Sequence, residues 1–303
     1  MKIKNILSLA FILCCVPALA DETVLTPASV IAKSTPNDWR QPSQDLLLHM
    51  QLESGEVVFE LAPSFAAKHV ENLITLINQE YFDGLAIIRS QDNYVVQWGD
   101  PNAQTAEAKS IGKAKAELEP EFYRKLDGID INYIESRDPY ADRVGFSHGF
   151  TVGSDDPHKE DSRAWLTHCY GALGVGRGMA ANSGNSAELY VVTGHAPRHL
   201  DRNVTLIGRA IFGMDKLSSL RRGTEPLGFY ETAEEATIIK SIRLGSKLPK
   251  DQQSNLEIMR TDTATFADYV KSRTTRLDEW FIDPTGKIGI CNVGVPTRQV
   301  GDN

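Results

Sequence analysis

Apolar and polar side chains alternate in the segment that begins at Leu46. Leu46, Leu48 and Met50 are separated by other residues, a turn with Gly55 follows, and residues 57–61 form a second, mostly apolar run. Two such runs on either side of a short glycine-containing turn predict a β-hairpin.

After this hairpin the apolar period changes from two to that of a helix. Val70, Leu73, Ile74 and Ile77 occur at positions i, i+3, i+4 and i+7, which places them on one helical face. Ser64 precedes them at a distance typical of an N-cap residue. The pattern therefore predicts one amphipathic helix packed on the hairpin.

Further apolar runs with strand character recur along the chain. They cover residues 85–88, 94–97, 189–193, 204–211 and 237–244. Because strands outnumber helices, the pattern predicts a mainly β fold, either a small barrel or a sandwich.

Three segments lie outside this pattern. Residues 21–44 are rich in Thr, Ser and Pro without periodicity, which predicts a flexible lead-in to a domain over residues 45–248. Residues 101–168 show weak strand signals but contain several aromatic side chains, so we expect an ordered insertion. In residues 249–303 the apolar pattern takes the period of a helix, with an apolar face that runs from Phe266 to Phe281. This pattern predicts a partly helical C-terminal extension packed on the domain.

The first twenty residues have the layout of a secretory signal peptide. Lys2 and Lys4 precede an apolar run over residues 6–16, and Ala18 and Ala20 place small residues at positions −3 and −1 before Asp21. The apolar run is too short to span a bilayer, which disfavours an N-terminal anchor. A lipoprotein signal at Cys14 or Cys15 is the other alternative, but bulky residues precede both cysteines. We therefore expect cleavage before Asp21 and export, most simply to a periplasm.

The charge of the mature chain excludes some partner classes. Removing residues 1–20 removes two lysines and no acidic residue, which changes the net charge from −8 to −10. Nucleic acids and anionic membranes attract basic surfaces, so neither is an expected partner. No later segment reaches eighteen consecutive apolar residues, and we therefore expect no integral membrane span after cleavage. The sequence contains no indication of oligomeric state.

Two cysteines, Cys169 and Cys291, remain after cleavage. In an oxidising compartment such a pair predicts a disulfide, and two unrelated buried thiols are the alternative. The histidines are scattered without metal-ligand spacing, so no metal or cofactor is expected.

A search of the sequence for catalytic and ligand-binding motifs leaves one candidate site. The chain has no Gly-x-Ser-x-Gly elbow, and the glycine-rich residues 174–178 lack the lysine and spacing of a phosphate loop. Arg89, at the end of an apolar strand, is followed by the amide of Gln97 in the next strand. Taken alone, such an arginine is more commonly a salt-bridge partner at a surface than a catalyst.

Four segments, in order, resemble the motifs of the cyclophilins. Arg89 and residues 94–100 (Tyr-Val-Val-Gln-Trp-Gly-Asp) resemble the family signature, in which a catalytic arginine precedes Phe-Met-x-Gln-Gly-Gly-Asp. Residues 171–177, 185–193 and 200–214 resemble the following glycine-rich, strand and Leu-Asp motifs. The order and intervals agree over roughly residues 46–245, apart from a longer connection after Asp100.

The resemblance implies an eight-stranded antiparallel β-barrel capped by helices, and a peptidyl-prolyl cis–trans isomerase that assists the folding of exported, proline-containing polypeptides. It implies that Arg89 is catalytic and that Gln97 holds a substrate carbonyl. It implies no cofactor. The full set of implied substrate-binding residues is Tyr94, Val95, Gln97, Gly176, Glu188, Tyr190, His199, Leu200 and Val204.

Catalysis of prolyl isomerisation requires only a well-placed hydrogen-bond donor. Rotation about an X–Pro bond faces a barrier of roughly 18–20 kcal/mol because amide resonance is broken. The proline nitrogen gains a lone pair in the twisted transition state, and a donor aimed at that nitrogen stabilises the transition state more than either planar ground state. The always-charged guanidinium of Arg89 suits this role.

Several positions depart from the family pattern. Ile88 replaces a histidine, His199 replaces the tryptophan of cyclosporin-sensitive members, and Glu188 replaces a glutamine. Glu188 either draws the Arg89 guanidinium away from substrate or anchors it, and we favour the second. The alternative functions are a cyclophilin-like peptide-binding or chaperone module with little or no isomerase activity, and a structural protein of the cell envelope.

Overall fold

A computed structural model describes residues 24–300, and the signal peptide predicted over residues 1–20 lies outside this part of the chain. The helices are α1 (Pro27–Lys33), α2 (Ala67–Asn78), α3 (Met214–Ser218) and α4 (Ala264–Thr274). None of the helices in the described part is long and apolar enough to cross a membrane.

The mainly β prediction is confirmed, since seventeen strands occur in residues 24–300. In chain order they are β1 (Trp39–Arg40), β2 (Leu47–Leu52), β3 (Gly55–Leu61), β4 (Ala86–Ser90), β5 (Val95–Gly99), β6 (Arg124–Lys125), β7 (Asn132–Tyr133), β8 (Arg143–Ser147), β9 (Phe150–Ser154), β10 (Arg163–Leu166), β11 (Ala172–Val175), β12 (Leu189–Val192), β13 (Leu206–Phe212), β14 (Thr237–Ile238), β15 (Ser241–Leu244), β16 (Leu256–Met259) and β17 (Thr297–Gln299).

The largest sheet curls into a barrel. Its strand order is β14-β4-β5-β12-β11-β13-β3-β2-β15, with every pair antiparallel. β14 and β15 are separated only by Ile239 and Lys240, whose amides donate to the carbonyls of Leu85 and Gln51 on opposite edges of the sheet. One interrupted strand therefore closes the sheet, and the predicted eight-stranded barrel is present.

The barrel interior holds the apolar face of each strand. Phe59 and Trp98 are 1% exposed, and their ring centroids lie 5.9 Å apart. Leu73 and Leu76 of α2 are fully buried in the same cluster, so α2 covers the barrel core. This burial is the physical origin of the alternation and of the helical period in the sequence.

α2 begins later than predicted. Its N-cap residue is Ala66, not Ser64. The amides of Lys68 and His69 donate to the carboxylate of Glu121 at 3.1 and 3.0 Å. A carboxylate from the insertion thus satisfies the free amides that a local cap would serve.

The insertion forms a second sheet of its own. β6, β10, β9, β8 and β7 are hydrogen-bonded in that order. Val144, Phe146 and Trp165 are at most 1% exposed, so this sheet has buried side chains like those of the barrel. The prediction of ordered structure over residues 101–168 is correct, and the sheet itself was not predicted.

The prediction of a flexible lead-in is wrong for its described residues, 24–44. α1 begins with a capping box between Thr26 and Ser29, and Val30 is 4% exposed. Trp39 of β1 pairs with Met259 of β16. The lead-in and the C-terminal extension thus share a three-stranded sheet, β1-β16-β17, and the lead-in is ordered by contacts with a segment more than 200 residues away along the chain.

The C-terminal extension packs on the insertion. Phe266 and Tyr269 of α4 are buried with Phe146 in one apolar cluster. α4 ends at Thr274, so the helical face predicted to run to Phe281 is wrong beyond this point, and Trp280 is 80% exposed.

The predicted disulfide between Cys169 and Cys291 is confirmed. Cys169 precedes β11 of the barrel, and Cys291 lies between α4 and β17. The bond therefore ties the C-terminal extension to the barrel.

Candidate functional site

Three neighbouring strands carry the polar residues that the sequence singled out. Arg89 of β4 pairs with Gln97 of β5, and Gln97 pairs with Tyr190 of β12. The three side chains therefore form a row across the sheet. Glu188 immediately precedes β12, beside the same row.

A β-bulge places Arg89 in this row. Residues two apart on a regular strand face the same side, so Arg89 would otherwise follow Ile87 into the barrel core. Ile87 is fully buried and pairs with Trp98, whereas Arg89 pairs with Gln97 after a shift of register between Ile87 and Arg89. The bulge thus redirects Arg89 to the outer face of the barrel.

The Arg89 guanidinium is held by three acceptors. Its Nε donates to the carbonyl of Leu227 at 2.7 Å, and Nη1 donates to Gln97 Oε1 at 2.8 Å. Nη2 donates to Gln91 Oε1. Charged donors make stronger hydrogen bonds than neutral ones, so these contacts fix the orientation of the side chain.

Two aromatic rings flank the same guanidinium. Its carbon lies 5.7 Å from the centroid of Tyr94 and 5.4 Å from that of Phe229, within the range of cation–π attraction. Phe229 and Leu227 belong to the connection between α3 and β14, a segment to which the sequence analysis assigned no site residue. Sequence reasoning missed both, because contact with Arg89 leaves no local pattern.

Glu188 contacts Gln97 rather than the guanidinium directly. Gln97 Nε2 donates to Glu188 Oε1, while Gln97 Oε1 accepts from Arg89. The amide of Gln97 is thereby fixed in one orientation between a cation and a carboxylate. Burial raises the pKa of Glu188 above its ordinary value, against the opposing effects of the Gln97 hydrogen bond and the Arg89 charge.

These residues surround one cavity of about 280 Å³ on the outer face of the barrel. Nine of the ten predicted site residues line it: Arg89, Tyr94, Val95, Gln97, Gly176, Glu188, Tyr190, Leu200 and Val204. His199 does not line the cavity, and its ring stacks on Tyr94 with centroids 6.4 Å apart. Arg177 lines the cavity without having been predicted. The structure thus brings the predicted residues together, and their individual roles stay predictions.

A buried polar network supports the Tyr190 wall of the cavity. The Tyr190 hydroxyl lies 2.8 Å from His168 Nε2, and His168 Nδ1 lies 2.9 Å from Asp201 Oδ1. Arg198 donates from Nε to Asp201 at 2.5 Å and from Nη1 to Asp138 at 2.8 Å. The cavity is therefore connected through Tyr190 to His168, the last residue of the insertion, and through Asp201 and Arg198 to Asp138 of the same insertion.

The pKa directions of Asp201 and His168 indicate which atoms of this network carry protons. Although burial acts to raise the pKa of Asp201, the His168 hydrogen bond and the Arg198 charge hold it below the ordinary value. Burial lowers the pKa of His168, so its imidazole is neutral near neutral pH. A carboxylate only accepts, so Nδ1 carries the proton, and Nε2 accepts from the Tyr190 hydroxyl.

The residues of the site offer donors, a carboxylate and an apolar wall. Among residues 24–300, no group of three or more His, Cys, Asp or Glu side chains is placed to hold a metal ion. Arg89 and Gln97 present charged and amide donors beside the apolar wall of Val95, Leu200 and Val204. The arrangement is suited to binding a small apolar group next to a carbonyl or amide.

Residues 47–243 match the family described as "Cyclophilin type peptidyl-prolyl cis-trans isomerase/CLD". A Brucella suis protein named "Probable peptidyl-prolyl cis-trans isomerase" is 25% identical over 176 residues, which cover 58% of this chain and 71% of that protein. A Brucella melitensis protein of the same name has the same identity and coverage.

The structure is also similar to the crystal structure of a cyclophilin from Hirschia baltica. The TM-score is 0.72, and the match covers 90% of this chain and 97% of that one. At 24% sequence identity this similarity shows a shared fold. Its coverage extends beyond the barrel into the insertion and the terminal segments.

Proposed function

The chain belongs to the cyclophilin-type peptidyl-prolyl cis–trans isomerase family, and from this premise we propose that Arg89 is its catalytic residue and that its substrates are exported polypeptides. The isomerase activity and its action on proline-containing peptides follow from family membership. The assignment of residues and the cellular setting are proposed from the site and the sequence.

One observation carries the assignment of Arg89. Its guanidinium lies at the edge of an outer-surface cavity with an apolar wall, and Gln97 stands beside it on the next strand. A proline ring placed against Val95, Leu200 and Val204 would leave its amide nitrogen facing the polar edge. An arginine donor there stabilises the lone pair that forms on the nitrogen in the twisted transition state.

Gln97 would hold the carbonyl that precedes the proline. Its Nε2 has two hydrogens, of which one is donated to Glu188. The second is available to a substrate oxygen. Glu188 thus acts in this scheme as a positioning residue, which keeps the Gln97 amide oriented with its oxygen toward Arg89.

A second candidate function, peptide binding with little catalysis, is favoured by the three hydrogen bonds that already occupy the Arg89 guanidinium. The Leu227 carbonyl already accepts from Arg89 Nε, and Gln91 and Gln97 accept from the other two nitrogens. Each terminal guanidinium nitrogen has two hydrogens, so a donor is still available to a proline nitrogen. If these contacts prevent approach to substrate, the chain binds proline peptides and releases them unchanged.

An Arg89→Ala variant distinguishes these functions. We expect kcat/KM to fall by roughly 100-fold to 1,000-fold, the loss typical of one oriented donor in a transition state. Activity is measured on a proline-containing peptide in a protease-coupled assay, and unfolding by circular dichroism confirms that the fold persists. Arg260→Ala, a partly exposed arginine paired with Asp262, is the matched control and should retain full activity.

Two outcomes would contradict the scheme. Wild-type protein that binds the peptide without accelerating its isomerisation would support the binding function. Equal activity of wild type and Arg89→Ala would exclude this arginine as the catalyst.

Two features support export. The first twenty residues have the pattern of a signal peptide, and the Cys169–Cys291 disulfide is of a kind that persists in oxidising compartments. The full chain is expressed in a bacterium with a periplasm, and the periplasmic fraction is subjected to N-terminal sequencing. We expect a mature chain that starts at Asp21. A cytosolic protein that retains Met1 would contradict the proposal.

A further inference from the structure

A second cleft lies away from the proposed isomerase cavity, between the insertion and the C-terminal extension. It has a volume of about 920 Å³. One wall comes from residues 134–137 and 143 of the insertion, and the other from residues 273, 276, 287–289 and 292 of the extension. Neither wall belongs to the barrel.

Cations dominate the lining of this cleft. Arg137, Arg143, Arg273, Arg276 and Lys287 line it, together with a single carboxylate, Glu135. We call these five cations and their surroundings the cationic cleft. The chain as a whole is acidic, with a formal net charge of −8, so five cations around one cleft are not a consequence of its overall charge. Positive charges held close together repel one another, and an anion bound between them relieves this repulsion.

The chain's own acceptors leave most of this charge unpaired. Arg276 has an ion pair with Asp278 at 3.7 Å, and Arg273 Nη2 donates to the Asn292 carbonyl at 2.7 Å. The buried Nε of Arg273 has no hydrogen-bond partner in the described part of the chain, and the buried Nε of Arg276 has only the Asp278 ion pair, which is longer than a hydrogen bond. Buried donors without acceptors are costly, so Arg273 Nε points to an acceptor that the chain does not supply.

The remaining cations are also without carboxylate partners. The Arg143 guanidinium lies 4.8 Å from the centroid of the Tyr133 ring, and within residues 24–300 it has no ion pair. Arg137 and Lys287 are exposed at the rim, and neither has an ion pair in the same part of the structure. Five cations thus face two carboxylates, Glu135 and Asp278.

We propose that the cationic cleft is a binding site for a phosphate-bearing anion. The planar forks of several arginines match phosphate oxygens, which accept two parallel hydrogen bonds from one guanidinium. A volume of about 920 Å³ suits a compact ligand, within the range of pockets that bind small molecules. This site is independent of the isomerase cavity and does not rest on the proposed function.

Two sources of such a phosphate are consistent with the site: a soluble phosphate compound or the headgroup of an anionic phospholipid. The segment after Arg276 bears on the choice, because Leu277, Trp280 and Ile282 are 59%, 80% and 99% exposed. Apolar side chains beside a phosphate site would enter the lipid layer if the phosphate belonged to a headgroup. They would stay in water if the phosphate were soluble.

Binding is tested on the mature, disulfide-bonded chain with two probes at low ionic strength. Inorganic pyrophosphate is titrated by calorimetry, and vesicles of phosphatidylglycerol are compared with vesicles of phosphatidylcholine. An Arg137→Glu/Lys287→Glu variant changes two exposed rim residues, and we expect at least a tenfold loss of affinity for whichever probe binds. Lys247→Glu/Lys250→Glu, two exposed lysines elsewhere, makes the same change of charge and should bind as wild type does.

Trp280 distinguishes the two sources. The other three tryptophans are at most 6% exposed, so quenching of fluorescence by neutral acrylamide reports on Trp280. Protection of Trp280 by phosphatidylglycerol vesicles alone identifies a headgroup. Pyrophosphate binding that leaves Trp280 accessible, without vesicle binding, identifies a soluble ligand. The proposal is overturned if neither probe binds, or if both double variants lose binding equally. Isomerase activity should be the same in both variants.

Discussion

Glu188 is the position at which the charge of the proposed isomerase site departs from the family pattern. Its carboxylate accepts from Gln97 Nε2, and Gln97 Oε1 accepts from Arg89. Replacing Glu188 by Gln leaves an acceptor of similar shape but removes its charge. A neutral pair of this kind is about half as strong as a charge-assisted one. We therefore expect Glu188→Gln to lower kcat/KM about threefold to tenfold.

The same residue predicts a pH dependence. Because the pKa of Glu188 is raised, its carboxylate takes up a proton at a higher pH than an ordinary glutamate does. Wild-type activity should therefore decline toward that of Glu188→Gln as the pH falls, while the variant lacks this step. Exchange between cis and trans peptide is measured by NMR without protease from about pH 8 to about pH 4. Faster isomerisation by the variant at neutral pH would show that Glu188 draws Arg89 away from substrate.

Tyr190 predicts an effect on stability. Its hydroxyl donates to His168 Nε2, and both side chains are buried. In Tyr190→Phe the imidazole nitrogen loses its donor in a site without exposure to water. We expect the free energy of unfolding to fall by about 1–3 kcal/mol, the cost of one unsatisfied buried acceptor. Denaturation in urea measures the change.

Tyr170→Phe is the control for this prediction. Tyr170 is 50% exposed, so loss of its hydroxyl should change the free energy of unfolding by less than about 0.5 kcal/mol. If Tyr190→Phe proved equally neutral, the network would contribute nothing to stability, and its connection to the cavity would be incidental.

At the level of elements, the disulfide joins the segment after α4 to the barrel. The two cysteines are 122 residues apart in the sequence. On the chain-entropy model, closing a loop of this length stabilises the fold by about 5 kcal/mol before native-state strain is subtracted. A Cys169→Ala/Cys291→Ala variant should therefore lose up to about 5 kcal/mol of unfolding free energy, again measured in urea.

Reductant is the internal control for this variant. It should lower the unfolding midpoint of the wild type and leave the midpoint of the double alanine variant unchanged. Two free thiols in denatured, unreduced wild-type protein would contradict the disulfide and favour unrelated buried cysteines instead.

For the whole molecule, the terminal segments and the insertion are expected to depend on each other. Deleting residues 249–303 removes β16, β17 and α4, which cover Trp39 and Phe146. The truncated chain should bind the dye ANS and unfold at a lower temperature than the full mature chain, because this apolar surface is exposed.

The control retains the extension and changes only its exposed side chains. Trp280→Ala/Ile282→Ala alters two residues that are 80% and 99% exposed, and it should leave both measurements unchanged. A truncated chain that melts like the full one would show that the barrel and the insertion are stable without the extension.

The sequence alone determined the mainly β class, and the resemblance of its motifs to those of the cyclophilins implied the barrel and the composition of its site. Leu73, Ile87 and Val96 belong to apolar runs whose period indicates which face is buried, and burial of that face is what stabilises each element. The motif intervals around Arg89 and Gln97 identified nine residues that line one cavity. Local patterns suffice for these features because their causes lie within a strand, a helix or one motif.

The tertiary structure decided what depends on residues far apart in the sequence. Glu121 caps α2 from the insertion, Leu227 holds Arg89, and His168 supports Tyr190, but none of these contacts leaves a periodic signal. The lead-in, taken for a flexible segment, is ordered because Trp39 pairs with Met259 on a strand near the other end of the chain. Such contacts gain their free energy only when the chain has folded, so no stretch of sequence records them.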